Sequence, residues 1–290
     1  WLTMGRPSNV SGEYFGLLTE SDIMDNLDSL LLNDYDVILL AGVNYDKLSP
    51  AQRKEIIRKV ENGCGLILVG CHGKNQDILS ISPLAATSVR NYPKRVPQKA
   101  MESYLTTAVP WDLIPPSTCF PCEARGDVYV KTGAFPYLAM REHGAGRVIA
   151  LSCITGAGQG KMVCGLTPDL PYPLPGAAFR DYFELYHLML AKAVVTAAKR
   201  DRGYQFGRIE VETEKECFML KINFKNRPSV DSPVSLTLFT RNRDNEVLSQ
   251  AKYDLKTTGQ TICRIPAQRW NGRQLIGMIL RNAQGGVLDF

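Results

Sequence analysis

The stretch LSPAQRKEIIRKVENGCGLILVGCHG, Leu48 to Gly73, decides how the rest of the chain is read. Its first half is built as a helix. Ser49 can cap it, Pro50 suits the first helical position, Ile56, Ile57 and Val60 recur at helical spacing, and Gly63 stops it. Its second half, Leu66–Val69, is continuously apolar with no polar alternation, which predicts a strand buried on both faces. A helix feeding such a strand is the repeating unit of a parallel sheet wrapped by helices.

The same plan precedes it. In TESDIMDNLDSLLLNDYDVILLAG, Thr19 to Gly42, Thr19 or Ser21 can cap a helix whose inward positions are Ile23, Leu27, Leu30 and Leu31, and Val37–Ala41 is a second buried strand. Beyond Gly73 the pattern is less regular. GDVYVKTG and PYLAMREHGAGRVIALSC contain further strand-like runs, and a long helix from Gly176 closes the region with one apolar stripe of Phe179, Tyr182, Phe183, Tyr186, Met189, Ala193 and Val194. After Gly203 the texture changes. GRIEVETE, CFMLKINFK, SPVSLTLFTRN, VLSQAKYDLK, TICRIPA, LIGMILRN and GVLDF are short runs separated by turn residues such as Asn226-Arg227-Pro228 and Gly285-Gly286, a spacing that predicts an antiparallel β-sandwich of immunoglobulin-like type. The expected domains are 1–203 and 204–290.

Composition narrows the function classes. With 290 residues, 44% hydrophobic and 22% charged, the chain has the balance of an ordinary globular protein. The net charge of +5 comes from scattered residues and two short clusters, RNYPKRVPQK and AAKRDR. No basic stripe interleaves with aromatics, so no nucleic-acid partner is expected. No apolar run reaches the ~18 residues of a membrane span, so no membrane partner is expected either. The opening WLTMG lacks an initiator Met, so the chain reads as trimmed from a larger precursor whose signal would no longer be visible, which leaves its compartment open, a secreted or periplasmic one included. The eight cysteines are dispersed and mostly lie within apolar runs, where a thiol behaves as a small hydrophobe.

YDVILLAG (35–42), the stretch from Leu48 to Gly73, SPL (82–84), TTAVPWDLIPP (106–116) and GAGRVIALSC (144–153) together give residues 10 to 200 a resemblance to the class I glutamine amidotransferase-like superfamily. The branch they are most similar to is that of the ThuA-like domains and the middle domain of A4-type β-galactosidases. The resemblance implies a flavodoxin-like open parallel sheet with flanking helices and a link to carbohydrate metabolism. It also implies a nucleophile elbow of the form Gly-x-Cys-x-Gly with a later His-x-Glu pair. Here Val69-Gly70-Cys71-His72-Gly73 keeps the Cys and the second Gly, while the strand end Val148–Leu151 is followed by Ser152, Cys153, Ile154 and Thr155, with no His or Glu. Many ThuA-like and A4-type relatives lack the nucleophile and serve sugar-related or structural roles.

Cys71 is therefore a candidate nucleophile or a semi-buried thiol in a shallow pocket. An activated thiol needs a base or a helix N-terminus to lower its pKa. His72 points away from Cys71 on an extended strand end, which leaves His143 or His187 as the candidate base. A ligand at the strand ends would be met by Cys71, His72, Gly73, Thr155 and Tyr172, the last two from the Gly- and Pro-rich segment 156–177 and the strand end before it; the alternative for that segment is packing against a neighbouring domain.

Other motifs fall short. Glu184-x-x-His187 has no second copy, GAGQGK (156–161) lacks the phosphate-loop spacing, and Cys119-x-x-Cys122 has no second pair at zinc spacing, so a local disulfide or two thiols is expected there. No cofactor and no metal are expected. The preferred function is a non-catalytic or accessory domain of a larger glycoside hydrolase-like protein, binding a small molecule or carbohydrate or mediating assembly with its other domains. The alternative is a Cys-dependent hydrolase or amidotransferase using Cys71.

Overall fold

The computed structural model describes residues 2–3, 20–70, 73–87, 94–114, 116–153, 176–199, 205–225, 233–242, 246–255, 260–267 and 274–290. The chain divides into two units, Trp1–Pro175 with Tyr182–Arg200, and Gly176–Asp181 with Asp201–Phe290. The expected boundary at 203/204 lies outside the described residues.

In chain order the first unit contains β1 (Leu2–Thr3), α1 (Glu20–Leu31), β2 (Val37–Ala41), α2 (Pro50–Glu61), β3 (Gly65–Val69), α3 (Gln76–Ile81), β4 (Leu84–Ala86), β5 (Lys94–Arg95), β6 (Gln98–Lys99), β7 (Ser117–Thr118), β8 (Cys122–Ala124), β9 (Asp127–Thr132), β10 (Phe135–His143), β11 (Gly146–Leu151) and most of α4 (Gly176–Ala197). Its main sheet has the order β1-β2-β3-β11-β10-β9-β6, while β4 with β8 and β5 with β7 form two small antiparallel pairs.

The helix and strand read from Leu48–Val69 form as their residues dictate. Ser49 Oγ accepts the Gln52 N–H at 3.1 Å and Gln52 Oε1 accepts the Ser49 N–H at 2.9 Å, a reciprocal cap with Pro50 behind it. Ile56 and Val60 are fully buried, and Gly63 leaves the helix at φ +110°. β3 buries all five residues between two parallel partners, β2 and β11. It is thus interior, as its sequence requires.

Half of the sheet departs from the expected parallel arrangement. β1, β2, β3 and β11 run parallel, but β10, β9 and β6 are antiparallel. The sheet is mixed because PYLAMREHGAGRVIALSC holds two strands, not one. Gly144, at φ +56°, and Ala145 turn β10 straight back onto β11. A Cβ on Gly144 would stand 2.6 Å from the Glu61 Cα, so this turn needs glycine for space as well as for its dihedral.

Helices cover both faces. Leu27 and Leu31 of α1, Ile56 and Val60 of α2, and Ile78 and Ile81 of α3 pack with Ile38, Leu40, Leu66, Leu68 and Val148. On the other face Tyr186, Met189, Leu190 and Ala193 of α4 pack with Ala41, Ile67, Val69, Ile149 and Leu151. Two residues assigned inward from spacing are exposed: Leu30 (39%), because Leu27 and Leu31 already fill the α1 contact, and Val194 (38%), because Leu190, Ala193 and Ala197 hold the buried side of α4.

The second unit forms all seven expected strands, β12 (Gln205–Thr213), β13 (Cys217–Lys225), β14 (Val234–Arg241), β15 (Val247–Leu255), β16 (Gln260–Pro266), β17 (Leu275–Asn282) and β18 (Val287–Asp289). They make two antiparallel sheets, β12-β13-β16 and β15-β14-β17-β18. Leu220, Ile222, Leu236, Leu238, Cys263, Ile265 and Leu280 are buried at alternate positions. The first and last strands are tied by the buried Asp289, whose carboxylate accepts the Phe206 N–H at 2.7 Å and the Phe290 N–H at 2.9 Å. On the outer face of β14 the Phe239 ring lies over Gly277 of β17, the space a side chain there would fill, with the Arg241 guanidinium 4.7 Å from the ring centroid.

Candidate functional site

At the carboxyl ends of β2 and β3 the chain breaks out of the sheet through two glycines in the left-handed region, Gly42 at φ +65° and Gly70 at φ +58°. The Gly42 N–H donates to Val69 C=O at 2.8 Å, and the Gly70 N–H donates to Leu151 C=O at 3.1 Å, so the three central strands end at one level. Ligands of open α/β sheets bind beyond this edge.

The chain re-enters the described structure at Gly73, φ +134°, pressed against the loop after β2. A Cβ there would lie 3.0 Å from both Tyr45 Cβ and Tyr45 N. Asp46 accepts the Lys74 N–H at 2.9 and 3.1 Å, and Asn44 Oδ1 accepts the Asp46 N–H at 2.9 Å. Asn75 then caps α3, accepting the Asp77 N–H at 3.0 Å, and Arg53 of α2 pairs with Asp77 at 3.0 Å. The residues flanking the candidate elbow are therefore moored from both sides.

Under this edge lies a small cavity of about 30 Å³ lined by Tyr45, Leu68, Gly73, Leu79, Ser82, Leu84, Phe120, Cys122, Ala150, Leu151 and Ser152. That is space for on the order of two water molecules. Its two serines and its cysteine are already engaged by backbone carbonyls. Ser152 Oγ donates to Pro136 C=O at 2.9 Å, Ser82 Oγ donates to Leu84 C=O at 2.7 Å, and Cys122 Sγ lies 3.4 Å from Pro136 C=O. Burial pushes the Cys122 thiol up to about 12, against a smaller opposing effect from the Ser152 hydroxyl. A thiol held protonated in this way is a poor nucleophile at neutral pH.

Of the residues assigned to the site from sequence, Cys71, His72, Thr155 and Tyr172 lie outside the described residues, and Gly73 lines the cavity. The two described histidines are elsewhere. His143 pairs in register with Gly146 at the amino end of β11, five residues before Leu151, and its Nε2 is 3.5 Å from Glu61 Oε1. At about 3.3 Å per strand residue that places it roughly 17 Å from the level of the cavity. His187 is exposed on α4. His143 thus stands at the opposite end of β11 from the cavity, and His187 is exposed.

Cys119 and Cys122 carry thiols and are not joined to each other. Tyr45, Ser82 and Phe120 contribute to the cavity without any local sequence signal, since each is delivered by a loop folding over the sheet edge. Ser152 was visible as the residue following a strand end. Among the described residues no group of three His, Cys, Asp or Glu could hold a metal ion, and no helix is long and apolar enough to cross a membrane.

No family model matches the chain, and no curated protein matches it. Among solved structures it is similar to Cytoplasmic Protein STM1381 from Salmonella typhimurium LT2, at 16% identity and a TM-score of 0.45, over 59% of this chain and 74% of that one. It is also similar to Cytoplasmic Protein STM3548 from Salmonella typhimurium, at 16% identity and a TM-score of 0.42, with the same coverage.

Proposed function

We propose that the chain is a non-catalytic, accessory amidotransferase-like module, a flavodoxin-like α/β domain followed by an immunoglobulin-like β-sandwich, from a larger protein of carbohydrate metabolism. Its role is to hold a small ligand at the carboxyl edge of the first unit's sheet or to join the other domains of that protein. One observation carries the non-catalytic part. Among the described residues the cavity beside the elbow is lined by no histidine and no carboxylate, and its two serine hydroxyls are spent on backbone carbonyls.

Acyl transfer by a thiol needs a base within reach, a group to orient that base and donors for the oxyanion. Members of such a unit act together, so loss of the base removes most of the rate. The link to carbohydrate chemistry rests on the resemblance of residues 10 to 200 alone.

The test is an ammonia-release assay on the purified chain with glutamine and simple amides, run beside iodoacetamide labelling of Cys71 from pH 6 to pH 9. The expected outcome is no ammonia above buffer and labelling with the pH dependence of an ordinary thiol. Rapid labelling of Cys71 at pH 6, with amide hydrolysis abolished by Cys71→Ala, would promote the reading of Cys71 as the nucleophile of a hydrolase or amidotransferase.

A further inference from the structure

Two buried cysteines stand opposite each other across an isolated antiparallel bridge at the same edge of the sheet. Cys119, between β7 and β8, bridges Cys153, the second residue after β11, and both are completely buried. The flanking hydrogen bond runs from the Phe120 N–H to the Ser152 C=O at 2.7 Å. That bond joins the residue after Cys119 to the residue before Cys153, the pattern around a cross-strand pair that is not hydrogen-bonded to itself. Such pairs hold their Cα atoms about 4.5 Å apart, with side chains on one face and closer than at any other register. Disulfides span Cα separations of about 4.4–6.8 Å.

We infer that Cys119 and Cys153 are a redox-active pair that closes to a cross-strand disulfide without backbone rearrangement. The two S–H bonds break and one S–S bond forms. The two protons and two electrons go to hydrogen peroxide, which leaves as two waters, or to a small-molecule disulfide, which leaves as two thiols. Cys122, nearer in sequence to Cys119, is not the partner. It stands in register with Ala86 and packs with Leu84 in the core layer beneath α1–α3, whereas Cys119 and Cys153 belong to the layer beneath α4.

Tyr186 of α4 places its hydroxyl 3.7 Å from Cys153 Sγ, so the bond would form against a packed aromatic wall. Phe120 and Ser152, the neighbours of the two cysteines, both line the cavity. Closing the bond therefore fastens one wall of the cavity to the end of β11, whatever the cavity holds.

The full chain, reduced and desalted, is exposed to hydrogen peroxide and, in a parallel arm, refolded from urea in a glutathione redox buffer. It is then alkylated and digested with trypsin. The expected product is a cross-link between the peptides 100–125 and 148–161, found in the parent and in Cys122→Ser and absent from Cys119→Ser. Oxidation should raise the Tm of the first unit by on the order of 10 °C, as expected for a loop of roughly 34 residues, and dithiothreitol should reverse the rise. The refolding arm reaches the thiols even where burial shields them from peroxide. Absence of the 100–125/148–161 cross-link in both arms overturns the inference. So does its loss in Cys122→Ser with the fold retained by circular dichroism, or a link from Cys119 to any cysteine other than Cys153.

Discussion

β3 in the first unit buries all five of its residues, whereas β14 in the second alternates, with Val234, Leu236, Leu238 and Thr240 buried and Ser235, Thr237, Phe239 and Arg241 half-buried. The first strand lies between helices on both faces; the second has one dry face and one wet one. The difference teaches where each unit can place chemistry. A sheet covered on both faces has only its edges left for polar groups, and the described cavity lies at one of them. A sheet with an open face can carry partly exposed side chains anywhere along its strands, as β14 carries Phe239 and Arg241.

The largest test of this contrast is Ile67→Asp. Ile67 is fully buried in the middle of β3, and a carboxylate there has no partner. The expected destabilisation is about 5 kcal/mol or more, enough to unfold the first unit. Hydrogen exchange should show protection lost across β2, β3 and β11 and kept in β14. Loss of protection in both units together would mean that they do not behave as separate cooperative bodies. In the second unit Leu236→Ala removes one inward side chain of an alternating strand, at an expected cost of about 3 kcal/mol. Urea unfolding followed at β14 and β17 checks it, and a cost under ~1 kcal/mol would show that the dry face is loosely packed.

Alkaline pH weakens both units in the same direction and by nearly the same amount, each through its own buried thiol. Burial raises the Cys122 thiol to about 12 and the Cys263 thiol to about 11. For each the folded state keeps a proton that the unfolded state releases near pH 9, so each contributes stability that is present below pH 9 and lost as pH rises toward the folded value. At pH 10.5 the Cys122 contribution should have fallen by about 2 kcal/mol, and that of Cys263 by slightly less. Cys122→Ala should flatten the alkaline limb of stability against pH in the first unit and leave that of the second unchanged. An unchanged limb in the first unit would mean that water reaches the Cys122 thiol.

The fold was legible in proportion to how local its causes are. The N-cap at Ser49, the run Leu66–Val69 and the seven short strands after residue 203 all have their causes within a dozen residues, and they formed where expected. The direction of β10 was not legible. A Gly144-Ala145 turn between two apolar runs serves a hairpin, but apolar runs alone do not say whether neighbours are parallel. Leu30 and Val194 were misplaced because spacing defines a stripe wider than the contact it makes. The cavity was the least legible part. Its walls come from β3, β11 and the segments carrying Tyr45, Ser82 and Phe120, which meet only in the folded state.

The smallest expected effect is also the most local. Ser49→Ala removes the acceptor for the Gln52 N–H and leaves the first turn of α2 with one more unmet donor, an expected cost of about 1 kcal/mol. Gln52 complicates the reading, because it also donates through Nε2 to Asp28 Oδ1 at 2.8 Å, linking α2 to α1. In Gln52→Ala both the reciprocal cap and that link are lost, so its cost should exceed that of Ser49→Ala. A double-mutant cycle between Gln52→Ala and Asp28→Ala isolates the link, and a coupling of about 0.5 kcal/mol is expected for a part-buried pair of this kind. If the cycle returns no coupling while Ser49→Ala still costs its full amount, α2 is held by its own cap and by the burial of Ile56 and Val60, and the hydrogen bond to α1 is incidental to the first unit's stability.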